Sequence, residues 1–311
     1  MNPILEVVLP VFGLILLGWS MARLKWTTDA SVDGLTHFTY HFSVPLLLLR
    51  TLSRTALPDE IPWTLLVSFY GASFTVFPLS LWLSRRLLNK SFGEAAINGF
   101  TSAFPNTVLL GIPVVLMSFG EPATLPLFLI ISLHSTLLFP LITLLMEIDR
   151  GGEASVPRIL GNAAQGLARN PIILGLSCGM LLNVLEVTLP GPADRVAELM
   201  GQTVTPCALF ALGATLTRFQ MSGRWLEVGM VVSLKVLLQP LIVAVLAFGV
   251  FQLEDHLWAS VAVLLAAQPA GANPYLFATR YNTNVALASN AVLVSTLVSV
   301  FTLSGILWAL H

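Results

Sequence analysis

Long stretches without one charged residue recur along the whole chain: 61–84, 95–120, 122–146, 199–217, 257–279 and 281–310. A bilayer core offers backbone groups no water, so it is crossed by helices of about 20 mostly apolar residues or by closed barrels. Runs of this length predict an all-α polytopic membrane protein whose first partner is the lipid bilayer. Composition agrees: 10% of residues are charged, against about 25% in soluble domains. A net charge of −1 leaves no basic surface, so nucleic acid is not an expected partner. Cys178 and Cys207 sit in apolar segments and pair only if the fold brings them together.

Ten spans are predicted, roughly 3–22, 33–53, 62–84, 94–119, 123–147, 170–188, 195–217, 226–250, 257–279 and 283–309. The first is expected to be retained rather than cleaved as a signal peptide, because Arg23 and Lys25 follow the apolar run. Loops after odd-numbered spans hold eleven Lys and Arg residues and loops after even-numbered spans hold three. By the positive-inside rule the odd loops are cytoplasmic. Both termini then lie outside the cytoplasm, and a bacterial inner membrane is the expected location.

The two halves echo each other. Asn2-Pro3-Ile4 opens the first span and Asn170-Pro171-Ile172 the sixth. Pro45 and Pro113 are 68 residues apart, as are Pro206 and Pro274, and 161 residues separate the pairs. The expected organisation is a first five-helix repeat over 1–150, a cytoplasmic linker over 151–169 and a second repeat over 170–311. Five spans per half make the second repeat inverted. Span four carries Pro105, Asn106, Thr107, Gly111 and Pro113, and span nine carries Gln268, Pro269, Asn273 and Pro274. Proline removes a backbone donor and breaks a helix, so both spans are expected to be discontinuous. Broken helices are tolerated in membranes where freed backbone groups line a protected cavity, as in inverted-repeat transporters. Half-helix N-termini carry partial positive charge and suit a carboxylate. Asn106 and Asn273 add donors and acceptors without a fixed charge. Pro105, Asn106, Thr107, Gly111, Gln268, Pro269, Asn273 and Pro274 are therefore the candidate substrate-binding residues.

Five separated motifs carry a resemblance: "HFSVPLLLL" in span two, "PNTVLLGIPV" in span four, "TPCALFALGATL" in span seven, "LKVLLQPLIV" in span eight and "QPAGANPYLFATRY" in span nine. In this order they resemble the auxin efflux carrier family in its short bacterial form, a family similar in fold to bile acid:sodium symporters. The resemblance implies two inverted five-helix repeats with crossing, broken helices four and nine. It also implies a scaffold of spans 1, 2, 6 and 7 and a mobile transport domain of spans 3–5 and 8–10, working by an elevator mechanism. Implied substrates are small organic anions, auxin-like monocarboxylates or dicarboxylates. The resemblance allows a homodimer through the scaffold and implies no cofactor.

Lys235 lies about ten residues, or ~15 Å, into span eight, where ionisable groups are costly and usually functional. It is a candidate coupling or support residue in one of three roles: a fixed cation in place of a bound sodium, a direct partner of the substrate carboxylate, or a structural lysine bonded to freed carbonyls. Gln239, one turn on, shares its helix face. His134 in span five is either a proton relay or a hydrogen-bonded core histidine. His37 and His41 have a metal-ligand spacing but no third ligand, so no metal is expected. An H-E-x-x-H motif, paired intramembrane aspartates and a Walker motif are all missing from the sequence, so an enzyme or an ATP-driven pump is not expected. A sodium-coupled symporter is the alternative to a sodium-independent carrier.

Overall fold

The computed structural model describes residues 4–55, 62–151, 156–219 and 223–310. Asn2, Pro3 and part of the expected linker lie outside the described residues. The described chain is helical, with one isolated antiparallel bridge. The helices are α1 (Leu9–Arg23), α2 (Asp29–Phe38), α3 (Val44–Leu52), α4 (Trp63–Leu87), α5 (Phe92–Ala103), α6 (Ile112–Phe119), α7 (Thr124–Asp149), α8 (Val156–Ala168), α9 (Pro171–Val184), α10 (Gly191–Gln202), α11 (Val204–Leu216), α12 (Trp225–Ser233), α13 (Gln239–Ala244), α14 (His256–Ala266), α15 (Asn273–Tyr281) and α16 (Val285–Leu310). Single π-helical turns over 4–8, 39–43, 107–111, 234–238 and 245–250 adjoin several of them.

Among the described residues six helical runs are long and apolar enough to cross a membrane: Glu6–Arg23, Trp63–Leu87, Glu121–Asp149, Gly191–Leu216, Trp225–Val250 and Val285–Leu310. A seventh is the pair Pro157–Ala168 and Pro171–Val184, bent by 57°. The remaining expected spans are interrupted. Span two passes from α2 through a π turn into α3. Spans four and nine each stop at their Pro/Asn-rich centre and leave the short apolar helices Thr107–Phe119 and His256–Ala266.

The chain divides into two compact units. The first comprises residues 1–62, 108–132 and 164–218. Here α1 packs on α11 and α3 on α9. Small residues make this approach close: a Cβ on Gly18 would collide with the Phe210 carbonyl, and one on Gly213 with the Ile15 carbonyl. Asn170 opens α9 by accepting at Oδ1 from Ile172 N (2.9 Å), with Pro171 in the first turn, where no amide is needed. Cys178 and Cys207 both lie in this unit as free thiols.

The second unit comprises residues 63–107, 133–163 and 219–311. In it α4 packs on α5, α13 on α4 and α14, and α16 on α12 and α15. Its interior buries Ser73, Ser80, Ser84, Asn98, Ser102, Lys235, Gln239, Gln268, Ser295 and Ser299.

Candidate functional site

In the second unit the two interrupted spans meet backbone to backbone. After α5, Phe104 leaves helical geometry, and Pro105 pairs with Ala270 across an antiparallel bridge. Asn106 N donates to the Pro269 carbonyl (2.8 Å), and Gly271 N donates to the Phe104 carbonyl (2.9 Å). Thr107 N turns back to the Pro105 carbonyl (2.9 Å), and Ala270 N donates to Ser295 Oγ (3.0 Å) on α16. Two prolines that cannot continue a helix thus exchange helical bonds for a two-rung crossover. Proline supplies acceptors there and no donors.

A helix end leaves its last carbonyls without amide partners, and in this unit side chains take them. Lys235 Nζ donates to the Ala266 carbonyl at the end of α14 (2.7 Å) and to Gln239 Oε1 (2.7 Å). Gln239 Nε2 donates to the Ala103 carbonyl at the end of α5 (3.3 Å) and to Ser73 Oγ (2.9 Å). One i, i+4 pair therefore closes both broken helices. Lys235 and Gln239 are both fully buried. Of the three roles considered for Lys235, the geometry displays the bond to a freed carbonyl. No carboxylate reaches its ammonium within salt-bridge distance among the described residues. The one buried acid among the described residues, Glu227, is engaged elsewhere: Lys90 Nζ stands 2.7 Å from its Oε2, and Asn98 and Asn284 Nδ2 donate to its Oε1 at 3.0 and 2.8 Å.

The other candidates divide. Pro105, Asn106, Thr107, Gln268 and Pro269 are buried at the crossover, with Pro274 buried in the first turn of α15. Gln268 Nε2 donates to the Leu264 carbonyl (2.9 Å), and its Oε1 is buried without a partner among the described residues. Asn273 is half-buried at the first position of α15. Gly111 belongs to the first unit. His134 is buried, and neither ring nitrogen has a partner among the described residues. The expectation of a hydrogen-bonded core histidine therefore fails. His37 and His41 stack with ring centroids 3.9 Å apart, and among the described residues no group of three or more potential metal ligands occurs.

Sequence reasoning missed Ser73 and Ser295, serines inside apolar runs that look like ordinary small residues of membrane helices. It also missed the cluster of Lys90, Asn98, Glu227 and Asn284. Asn98 lies two turns before Asn106 on the same span and was the one readable signal.

Comparison with known proteins accords with these features. A family model described as membrane transport protein matches residues 3–307. A protein of Rhizobium meliloti (strain 1021) named "Putative malonate transporter" is 30% identical over all of this chain and 97% of its own length. Auxin efflux carrier component 8 of Arabidopsis thaliana is 23% identical over 95% of this chain and 94% of its own. An uncharacterised transporter of Methanothermobacter thermautotrophicus is 26% identical over 98% and 97%. With a family match running from end to end and a crossover of broken helices at its polar centre, this chain belongs to the membrane transport protein family, that of the auxin efflux carriers.

Proposed function

We propose that this membrane transporter is a secondary carrier of small organic anions, with its substrate site at the crossover of the second unit. The observation that carries this reading is the buried ammonium of Lys235 with no carboxylate to balance it among the described residues. A desolvated cation without a counter-ion favours an arriving anion, and the crossover beside it holds the side-chain amides of Asn106, Gln268 and Asn273, whose N–H groups can donate to a carboxylate. The name of the Rhizobium relative supports dicarboxylates as the first substrates to try.

In this reading the chain crosses a bacterial inner membrane ten times, as two inverted repeats with both termini outside. Spans 1, 2, 6 and 7 form a scaffold that allows a homodimer, and spans 3–5 and 8–10 carry the substrate in an elevator motion. The grouping of spans 1, 2, 6 and 7 in one contact unit and of spans 3, 8, 9 and 10 in the other supports that assignment, while residues 108–132 of spans four and five cluster with the first unit. Lys235 acts as a built-in cation. It makes the carbonyl bond a coupling ion would make, so transport does not need sodium.

The test is a thermal-shift screen of the purified protein against mono- and dicarboxylates, followed by uptake of the hits into proteoliposomes. Saturable stabilisation by at least one anion and none by matched amines or neutral analogues is expected. Stabilisation by cations alone would remove the anion reading, and uptake that collapses when sodium is replaced by choline would transfer the function to a sodium symporter.

A further inference from the structure

His134, on α7 in the second unit, is 1% exposed, and neither ring nitrogen has a hydrogen-bond partner among the described residues. Three aromatic rings enclose it: Phe104 with centroids 4.2 Å apart, Phe69 at 5.8 Å and Tyr70 at 6.4 Å. Leaving a buried polar atom bare costs on the order of 1–3 kcal/mol. Core packing alone is served as well by leucine or phenylalanine, so the imidazole needs another reason to be there. Its nearest ring supplies one. Phe104 is the residue whose carbonyl accepts from Gly271 in the crossover. The imidazole is thus one side chain away from the candidate substrate site.

The charges around it narrow what it does. From α4 the titratable neighbour is the Tyr70 phenol, Phe69 beside it carrying no charge. The segment after α5 presents Phe104, which neither titrates nor carries charge. From the π turn 234–238 the Lys235 ammonium acts on it, and no carboxylate of α7 or of any other described element does. A proton added to this ring meets a second cation and no anion. The ring therefore accepts a proton only when an anion arrives with it.

We propose that His134 is the proton-binding site of the transport cycle, and that the substrate is a dicarboxylate dianion carried together with one proton. This rests on the anion reading above. The balance is simple: the proton comes from water, adds to a lone pair of Nδ1 or Nε2, and leaves to water when the anion departs. No substrate bond forms or breaks. Two carboxylates are then balanced by the fixed Lys235 ammonium and the imidazolium, so the loaded site is neutral. The anion, seated at Asn106 and Gln268, displaces the Phe104 ring that covers the imidazole.

The experiment is isothermal titration calorimetry of the purified wild-type protein with malonate, succinate and malate. Each titration is run at about pH 7, where these acids are almost fully ionised, in two buffers of different ionisation heat. The expected result is uptake of close to one proton per anion bound. His134→Gln should bind about tenfold more weakly, a loss of one charge partner, with no proton uptake. A merely structural histidine would change affinity without changing proton number. Binding without proton uptake in the wild type overturns the proposal, and so does undiminished uptake in His134→Gln. Should that variant not purify as folded protein, the wild type decides through its pH series. Affinity should fall as pH rises through 7, where about one proton is taken up per anion, and a flat profile overturns the proposal. No binding heat from any of the three acids overturns it too, and leaves the anion reading to the monocarboxylates of the screen.

Discussion

The two units share some devices, Gly99 pressing on the Phe77 carbonyl in the second and Asn183 donating to the Leu52 carbonyl in the first, but they differ in what dominates their helix contacts. In the first, glycine brings helix backbones into contact: Gly18 faces the Phe210 carbonyl and Gly213 faces the Ile15 carbonyl, with no room for a side chain. This is the small-residue packing by which membrane helices associate when hydrophobic burial offers no advantage over lipid. In the second, side chains reach across gaps that backbone does not close, and the gaps are the ends of broken helices. Lys235, Gln239 and Ser73 form such a bridge, and away from the breaks Lys90, Glu227, Asn98 and Asn284 form a second polar cluster. Close packing suits a part that keeps its shape. Polar bridging tolerates irregular backbone and leaves a group such as Gln268 Oε1 without a partner among the described residues. The contrast makes substitutions in the two units fail differently.

The largest effect is expected from Gly213→Val in the first unit. Its Cβ has no place beside the Ile15 carbonyl, and a loss of about 3 kcal/mol or more is expected, at the upper end for overpacking. Size-exclusion profiles and thermal unfolding in detergent should show little folded protein. A variant as stable as the wild type would mean that α1 and α11 are not closely packed.

Next comes Lys235→Ala in the second unit. It strands the Ala266 carbonyl and Gln239 Oε1, each bond to a charged donor being worth about 1.5–3 kcal/mol. Transport should fall to background while the protein still inserts and purifies. Lys235→Arg should rescue poorly, since a planar fork replaces a compact ammonium. Uptake by the alanine variant within twofold of wild type would dismiss the lysine as a support of the crossover.

The positions of these effects were partly legible before any coordinates. Membrane class follows from the uncharged runs, the family from the resemblance of the five motifs, and the two break points from Pro105, Pro113, Pro269 and Pro274. The Lys235–Gln239 pair follows from i, i+4 spacing. How the breaks meet did not follow, because Asn106 N to Pro269 and Gly271 N to Phe104 are backbone bonds that any residue types make. The Lys90–Glu227–Asn98 cluster was hidden for another reason. Its members lie more than 100 residues apart in part, and a glutamate near a span's end reads as an interfacial charge. The π turns, as over 39–43 and 234–238, have no side-chain signature to read.

Smaller effects are expected from Asn106→Ala and Asn273→Ala. Each removes one or two hydrogen bonds to substrate, so affinity should drop by about 5–150-fold, or roughly 1–3 kcal/mol, with the melting temperature of the ligand-free protein nearly unchanged. Equal losses of stability and affinity would reassign these amides to the frame of the unit. The smallest effect, none within error, is expected when choline replaces sodium in uptake by the wild type.

The enclosure of Lys235 also bears on covalent labelling. The chain has three lysines, Lys25, Lys90 and Lys235. Lys25 is exposed and Lys90 half-buried, while Lys235 is sealed with two of its donors engaged. An amine-directed acylating reagent should modify Lys25 within its ordinary reaction time and Lys90 more slowly. Lys235 should acquire a label only in the moments when the crossover parts. Peptide mass spectrometry then reads three clocks in one molecule, and the slowest of them times the opening of the site without any introduced probe.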